Sequence, residues 1–417
     1  MKLQILKYEL KKIFYKKSSI ISLAVLGICM GFMLFSCLSE ISYTDAEGNH
    51  INGIKAVRLL KSEKMQWNGI ISPETVRKVI TKNSAINSNS QYKGMKESDI
   101  KLSNMQYSRK QGFMDIRELI NLSYGEVHSY DYYLIDRLSP DVANTFYTNR
   151  VGQIKTLATS QEADYLTKNE KNYLINSAQT LFTPFNYSYA DGWLNALERS
   201  ATVLFALAFV ICILLAPIFS VEYQTCCDAI LLSTEHGKRK GIVYKLIAGL
   251  LSASLVYWIT AGVVYCFMFT VFGVEGGDCP IQASFSGWKS FYHVTNIQSF
   301  WMVLILGYVG CMFIGSLTMF LSSKVKTSFA TIILIFIFIM VPATIGKSLI
   351  TESVWNKIID ILPHQMLLGW NIFRTYILYD IGGKVVTPYE VLPVLYGTLA
   401  VILLPFAYNS FRKHKIA

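Results

Sequence analysis

The chain has 417 residues, 52% of them hydrophobic and only 16% charged, with a formal net charge of +11. Soluble domains carry about 25% charged residues, so this composition excludes an ordinary soluble protein and predicts an all-α polytopic membrane protein. The basic excess is confined to four short segments, an arrangement that argues against nucleic acid as a partner.

Residues 1–17 (MKLQILKYELKKIFYKK) set Leu3, Leu6, Leu10, Ile13 and Phe14 on one helical face, with lysines opposite. This is the pattern of an amphipathic helix lying in the headgroup plane. The next block, 18–39, is uncharged over 20–38. That is longer than a signal-peptide core of about 7–15 residues, so it reads as an uncleaved first transmembrane helix.

Residues 40–199 are mixed and polar and contain no cysteine. They predict a mainly helical extracellular domain between spans one and two, held by no disulfide framework. Candidate helices are 53–66, 73–81, 98–120, 126–137, 140–159 and 167–181, with a loop at 82–93 (KNSAINSNSQYK). Ser72-Pro73 and Ser139-Pro140 are helix starts. The chain returns to the membrane through TPFNYSYADGWLNALER, whose aromatic residues suit the outer interface.

Five more apolar blocks follow at 200–220, 243–273, 298–322, 327–349 and 391–410, each near the roughly 20 residues a span needs. The predicted architecture is therefore six transmembrane helices, with spans two to six inside 200–410 and a tail at 411–417. Outer loops occupy 274–297 and 350–390; the second is partly apolar but too interrupted to cross, and reads as short helices against the outer face. The span interiors hold no Asp, Glu, Lys or Arg. Ion-coupled transporters and voltage sensors place ionisable groups there, so the energy source is expected outside the spans.

The N-terminus, 221–245, 323–326 and the C-terminus together hold 15 Lys and Arg against four acids, Glu9, Glu222, Asp228 and Glu235. The remaining 24 basic and 24 acidic residues cancel. This positive-inside pattern puts both termini and those segments in the cytoplasm of a plasma-membrane protein, next to anionic lipid.

Catalytic and metal signals are poor: the six histidines are scattered, and HExxH and CxxC are absent. Gly346-Lys347-Ser348 ends like a phosphate-binding loop, but position 341 is Val where the motif needs Gly. The chain is therefore read as neither an enzyme nor a metal protein, with no cofactor of its own.

The most informative stretch lies between spans two and three: FSVEYQTCCDAILLSTEHGKRKGIVYKL. Glu222 to Leu232 predict three helical turns, broken by Ser233-Thr234; Gly237 permits a tight turn, and Lys238-Arg239-Lys240 meet the inner headgroups. Cys226-Cys227 read as small helix residues rather than a redox switch. The stretch resembles the first cytoplasmic loop of permeases in the ATP-binding-cassette (ABC) type-two transporter family. The resemblance rests on Glu222-Tyr223, on Leu231-Leu232-Ser233-Thr234 at the same spacing, and on Lys238, Arg239 and Lys245 in the basic tail. Cys226-Cys227 stand where Gly-Thr is usual, and Glu235 where Pro is usual. The large insertion after the first span is similar to a subgroup often met in Gram-positive bacteria.

That resemblance implies a permease subunit of an exporter of peptide, lipid or drug. Two copies, or a copy and a paralogue, pair, and two separate ATPase subunits bind ATP and Mg below them. The 221–240 element docks on the ATPase through Glu222, Tyr223, Leu231, Leu232, Ser233, Thr234, Gly237, Lys238 and Arg239, and short re-entrant helices lie between spans five and six. The alternative reading is a membrane-anchored sensor or immunity protein whose outer domain binds a peptide or toxin without transport.

Overall fold

Each apolar block folds as a helix, because in hydrocarbon only a helix satisfies its own backbone. The computed structural model describes residues 2–92, 99–160, 163–234, 237–348 and 354–414. Amphipathic α1 (Lys2–Phe14) is separate from α2 (Lys17–Ser39), because Lys16 between them takes extended backbone. α1 lays Leu6, Leu10, Ile13 and Phe14 against the bundle.

A ribbon of β1 (Ser42–Thr44) and β2 (His50–Asn52) opens the domain that follows. Its helices are α3 (Gly53–Met65), α4 (Pro73–Asn87), α5 (Ile100–Ser108), α6 (Met114–Tyr124), α7 (Phe146–Thr159) and α8 (Lys168–Thr180). Short strands β3 (Gly69–Ile70) and β4 (Asn186–Tyr187) pair before α9 (Asp191–Glu198). The chain continues through α10 (Ser200–Leu215), α11 (Pro217–Gln224), α12 (Cys227–Ser233), α13 (Ile242–Phe272), α14 (Asn296–Ser322) and α15 (Ser328–Ser348). Last come α16 (Val354–Asp360), α17 (Gly369–Arg374), a hairpin of β5 (Tyr379–Ile381) and β6 (Lys384–Val386), and α18 (Pro388–Arg412).

Five helices are long and apolar enough to cross a membrane: Lys17–Ser39, Ser200–Gln224, Gly237–Phe272, Asn296–Ser322 and Pro388–Arg412. The fifth expected span, 327–349, falls on α15, whose apolar part, Ser328–Thr344, is shorter. The chain is thus a predominantly helical, multi-pass membrane protein. α14 runs through the centre, touching α10, α13, α15, α17 and α18. The turns follow from chain direction: α1, the 225–241 segment, the 323–327 turn and the end of α18 share the basic end of the bundle, and residues 40–199 sit at the other.

That domain has its own core, built from Val76, Val79 and Ile80 of α4, Ile116, Leu119 and Ile120 of α6, and Phe146 of α7. Both expected caps form: the Ser72 Oγ accepts from the Thr75 N–H, and the Ser139 Oγ from the Asp141 N–H, each at 3.3 Å. Three expectations need correcting. The loop expected at 82–93 is helical as far as Asn87, because Asn83 is buried and donates to the Asp136 carboxylate at 2.7 Å, and Ile86 is buried beside it. The expected helix 98–120 breaks around Gln111–Phe113, where Gln111 bonds the Thr44 backbone in both directions. Residues 126–137 form only a 3₁₀ turn, Leu134–Arg137, because Asn121 and Arg117 take the Ile135 N–H and the Tyr132 carbonyl as partners. Position 93 of the expected loop lies outside the described residues.

Counting 40–199 as the first long connection, the second loop, 274–297, and the third, 350–390, are structural members of this domain. Trp288 of loop 274–297 is fully buried in its core, against Phe146 and Phe185. Buried Arg150 donates to the Trp288 and Ser290 carbonyls at 2.8 and 2.7 Å. Glu170 caps α8 and takes Lys357 of the third loop at 2.6 Å. Lys64 lies 3.1 Å from Asp115 and 3.0 Å from Asp191, tying α3 and α6 to α9. Burial opposes the Lys64 charge, but the two carboxylates outweigh it and raise its pKa.

Between α16 and α18 the third loop turns inward. Met366, Leu367, Ile372 and Phe373 are fully buried. Met366 rests on Gly310, near the midpoint of the 27-residue α14, where a Cβ would come within 3.0 Å of the Met366 Cβ. Irregular backbone is tolerated at such depth only when buried in protein, and this segment is. Arg150→Ala strands the buried Trp288 carbonyl and leaves the Ser290 carbonyl only its bond from Gln282, and is expected to lower stability by about 1–3 kcal/mol. Thermal unfolding of the full chain, followed by tryptophan fluorescence, checks this; an unchanged midpoint would show that the loop is not anchored there.

Candidate functional site

The segment between α10 and α13 begins at a proline. Pro217 lacks an N–H, so the helical ladder is interrupted there, and a side chain from α14 fills the gap. The Ser322 Oγ accepts from the Phe219 and Ser220 N–H groups at 3.1 Å and donates to the Ala216 carbonyl at 2.6 Å. Ser220 reaches on to the Ser328 hydroxyl at 2.7 Å, and the Tyr223 hydroxyl donates to the Ser323 carbonyl at 2.7 Å. α11 is thereby fixed to the ends of α14 and α15.

The three helical turns expected from Glu222 to Leu232 are broken. α11 stops at Gln224, and Cys226 takes left-handed backbone (φ 53°, ψ 20°) before α12 starts. Left-handed backbone costs an L-residue with a Cβ roughly 1–2 kcal/mol and costs Gly little. α12 ends at Ser233, where the chain was expected to break. The turn behind it requires glycine: a Cβ on Gly237 would lie 2.2 Å from the Leu231 carbonyl oxygen. The Gly237 N–H donates to the Thr234 Oγ1 at 3.1 Å, closing the turn into Gly237–Gly241 and α13.

The charges divide into an inward set and an outward set. Glu222, 2% exposed, accepts from Lys245 of α13 at 2.7 Å and pairs with Lys12 of α1. Lys245, 3% exposed, also reaches Glu9 of α1 at 3.0 Å. Glu9 and Lys12 stand three apart on one helical face, so α1 clamps across α11 and α13. Asp228 lies 3.6 Å from His414 at the end of α18, and the His414 ring lies against Tyr223 with centroids 4.5 Å apart. The three described acids of the basic end thus each meet a basic side chain, and Glu235 lies outside the described residues. Lys238, Arg239 and Lys240 point outward and are exposed.

Burial opposes the charge of Lys12, but the hydrogen bond to Glu222 and the nearby carboxylates hold its pKa above the ordinary value. Lys16 behaves oppositely: burial, then the neighbouring Lys12 and Lys245, push it down to about 8.

Of the nine residues that the resemblance assigned to docking, two turn inward. Glu222 is consumed in the ion cluster, and Leu232 is buried in the bundle core. Tyr223 and Leu231 are half-buried; Ser233, Thr234, Lys238 and Arg239 are exposed beside Gly237. The exposed apolar residue of α12 is Ile230, at 69%. Sequence reading also missed Glu9, Lys12, Ser322 and His414; a lone acid in a lysine-rich helix was the one available signal, at Glu9. Among the described residues no three His, Cys, Asp or Glu side chains gather as metal ligands. No family model matches the chain, nor does any curated protein or solved structure.

Two outcomes follow. Glu222→Ala leaves Lys245 short of its nearest counter-charge and is expected to cost about 3–5 kcal/mol, while Glu222→Met with Lys245→Met recovers most of it. Thermal midpoints decide; a single variant as stable as the native chain would contradict the clamp. Lys16 has a folded pKa below its unfolded value, so its charge destabilises fully below pH 8, and that effect fades as pH rises toward 10.5. Lys16→Met should therefore raise the midpoint most below pH 8 and hardly at all near 10.5; a pH-independent difference would refute this.

Proposed function

We propose that this chain is the membrane subunit of an ABC exporter, and that α12 with the Gly237–Gly241 turn receives force from a separate ATPase. The observation that carries the reading is a division of labour within one short element. Its framework residues, Glu222 and Tyr223 of the adjoining α11 and Leu232 of α12, are tied to α1, α13, the end of α14 and the bundle core. Its outward residues, Ile230, Ser233, Thr234 and the 238–240 basic run, have an apolar centre with a polar rim. Protein interfaces have that anatomy. A push on Ile230 passes through Leu232, buried in the bundle core, and Asp228, held by His414, so it reaches packed helices rather than a free loop.

In this reading α15 is the fifth of six spans, the basic end faces the cytoplasm, and residues 40–199 lie outside. The permease acts as a pair, of two copies or of a copy and a paralogue, over two ATPases that hold ATP and Mg. Cys226, in left-handed backbone at the position the family usually gives to Gly, is consistent with the same local turn.

A second reading, a sensor or immunity protein, draws on one feature of the domain. A cleft of 530 Å³ there is walled by Phe182, Ile70, Pro280 and Val294, and Phe182 is 84% exposed. Clefts of about 300–1,000 Å³ are the usual size for small ligands.

Affinity purification in mild detergent, with an ATPase assay, separates the two. Ile230→Asp should reduce recovery of ATPase activity at least tenfold while leaving the thermal midpoint of the chain unchanged, because Ile230 contributes nothing to its own core. Failure of the native chain to recover an ATPase under several extraction conditions would favour the sensor.

A further inference from the structure

An apolar groove of 420 Å³ runs between α14, α15 and α18. Its walls include Phe313, Leu317 and Leu321 of α14, Leu334 and Phe338 of α15, and Leu403 of α18. From Phe313 to the end of α14 is nine residues, about 14 Å of helix. The groove therefore occupies the half of a roughly 30 Å hydrocarbon core that adjoins the basic end. One helical step beyond Leu321 the chain turns, and that turn carries Lys324 and Lys326, both exposed. The Lys324 Nζ lies 5.3 Å over the Phe320 ring. Neither lysine is ion-paired with a carboxylate among the described residues. The Ser410 Oγ donates to the Ser323 carbonyl at 3.4 Å, which brings the end of α18 and Arg412 beside the same turn. The nearby acid, Asp228, is already held by His414.

We propose that this groove is a binding site for one anionic phospholipid, with an acyl chain between α14, α15 and α18 and its phosphate at Lys324 and Lys326. An open apolar slot forfeits dispersion contacts along its walls, and a lipid tail, as apolar as leucine, restores them. A second protein helix fits less well, since close helix packing in membranes uses small residues and these walls are Leu, Ile and Phe. The two lysines, without carboxylate partners among the described residues, select the headgroup charge. The site requires only that the chain spans a membrane and is independent of the transport reading.

The test uses the full chain in detergent, with phosphatidylglycerol or phosphatidylcholine added, and counts retained lipid by native mass spectrometry. The native chain should retain one phosphatidylglycerol in preference to phosphatidylcholine. Lys324→Ala with Lys326→Ala should weaken phosphatidylglycerol binding by on the order of fivefold per lysine and leave phosphatidylcholine unaffected. Leu403→Trp, which fills the groove, should abolish retention of both. Equal retention of the two lipids by the native chain would overturn the proposal. So would undiminished retention by Leu403→Trp, or a dimer of the chain that Leu403→Trp splits. The lysine variant alters only exposed side chains, so its result stands even if the tryptophan variant folds poorly.

Discussion

The basic end of this molecule depends on a carboxylate and an ammonium taken out of water together. Glu222 and Lys245, each about 3% exposed at the side chain, sit 2.7 Å apart where α11 meets α13. Neither would be tolerated there alone, because an unpaired buried charge costs several kcal/mol. The pair in turn recruits Lys12 and Glu9, which gives the amphipathic helix a fixed register on the bundle. An interfacial helix held only by its apolar face could slide or rotate; one held by two charge contacts on adjacent turns cannot do so without exposing them. The same cluster leaves the outward surface almost wholly cationic, as the placement of Lys238, Arg239, Lys240, Lys324 and Lys326 shows.

The other end is organised on the same principle with different chemistry. Buried Arg150 and Glu170 and half-buried Lys64 are polar groups whose partners lie in other loops or helices. Together with Trp288 they make the domain and the loops between spans a single packed layer. Through Gly310 and Met366 that layer reaches the middle of α14, the same helix whose Ser322 repairs the break at Pro217. One helix thus packs against both the domain side and the segment that follows Pro217.

Much of this was legible in the sequence, because apolar blocks and charge asymmetry are strong, local signals. The spans other than α15, the separate first helix, the Ser72 and Ser139 caps and the turn at Gly237 all have causes that lie within a few neighbouring residues. What was not legible depends on distant partners. α4 continues through a run of polar residues because Asp136, more than fifty positions away, receives Asn83. In α11 and α12 the difficulty is helical phase. A continuous helix from Glu222 gives Leu231 and Leu232 one orientation; a helix that restarts after left-handed Cys226 rotates them, burying Leu232 and exposing Ile230. Nothing in the residue types at 225–227 announces that break. The Glu222 partnership was likewise hidden, since Lys245 is 23 positions on and Lys12 is 210 positions back.

We propose that α12 presents Ile230 to a nucleotide-hydrolysing partner on the basic side of the membrane. The most direct measurement is site-specific photo-crosslinking in intact cells, with the reactive group at position 230 and a control at position 182 in the outer domain. The account predicts that position 230 captures an ATP-binding subunit, identified by its nucleotide-dependent labelling, and that position 182 does not. Capture of no such subunit from position 230, or modification of position 230 by a membrane-impermeant reagent added outside the cells, would contradict it.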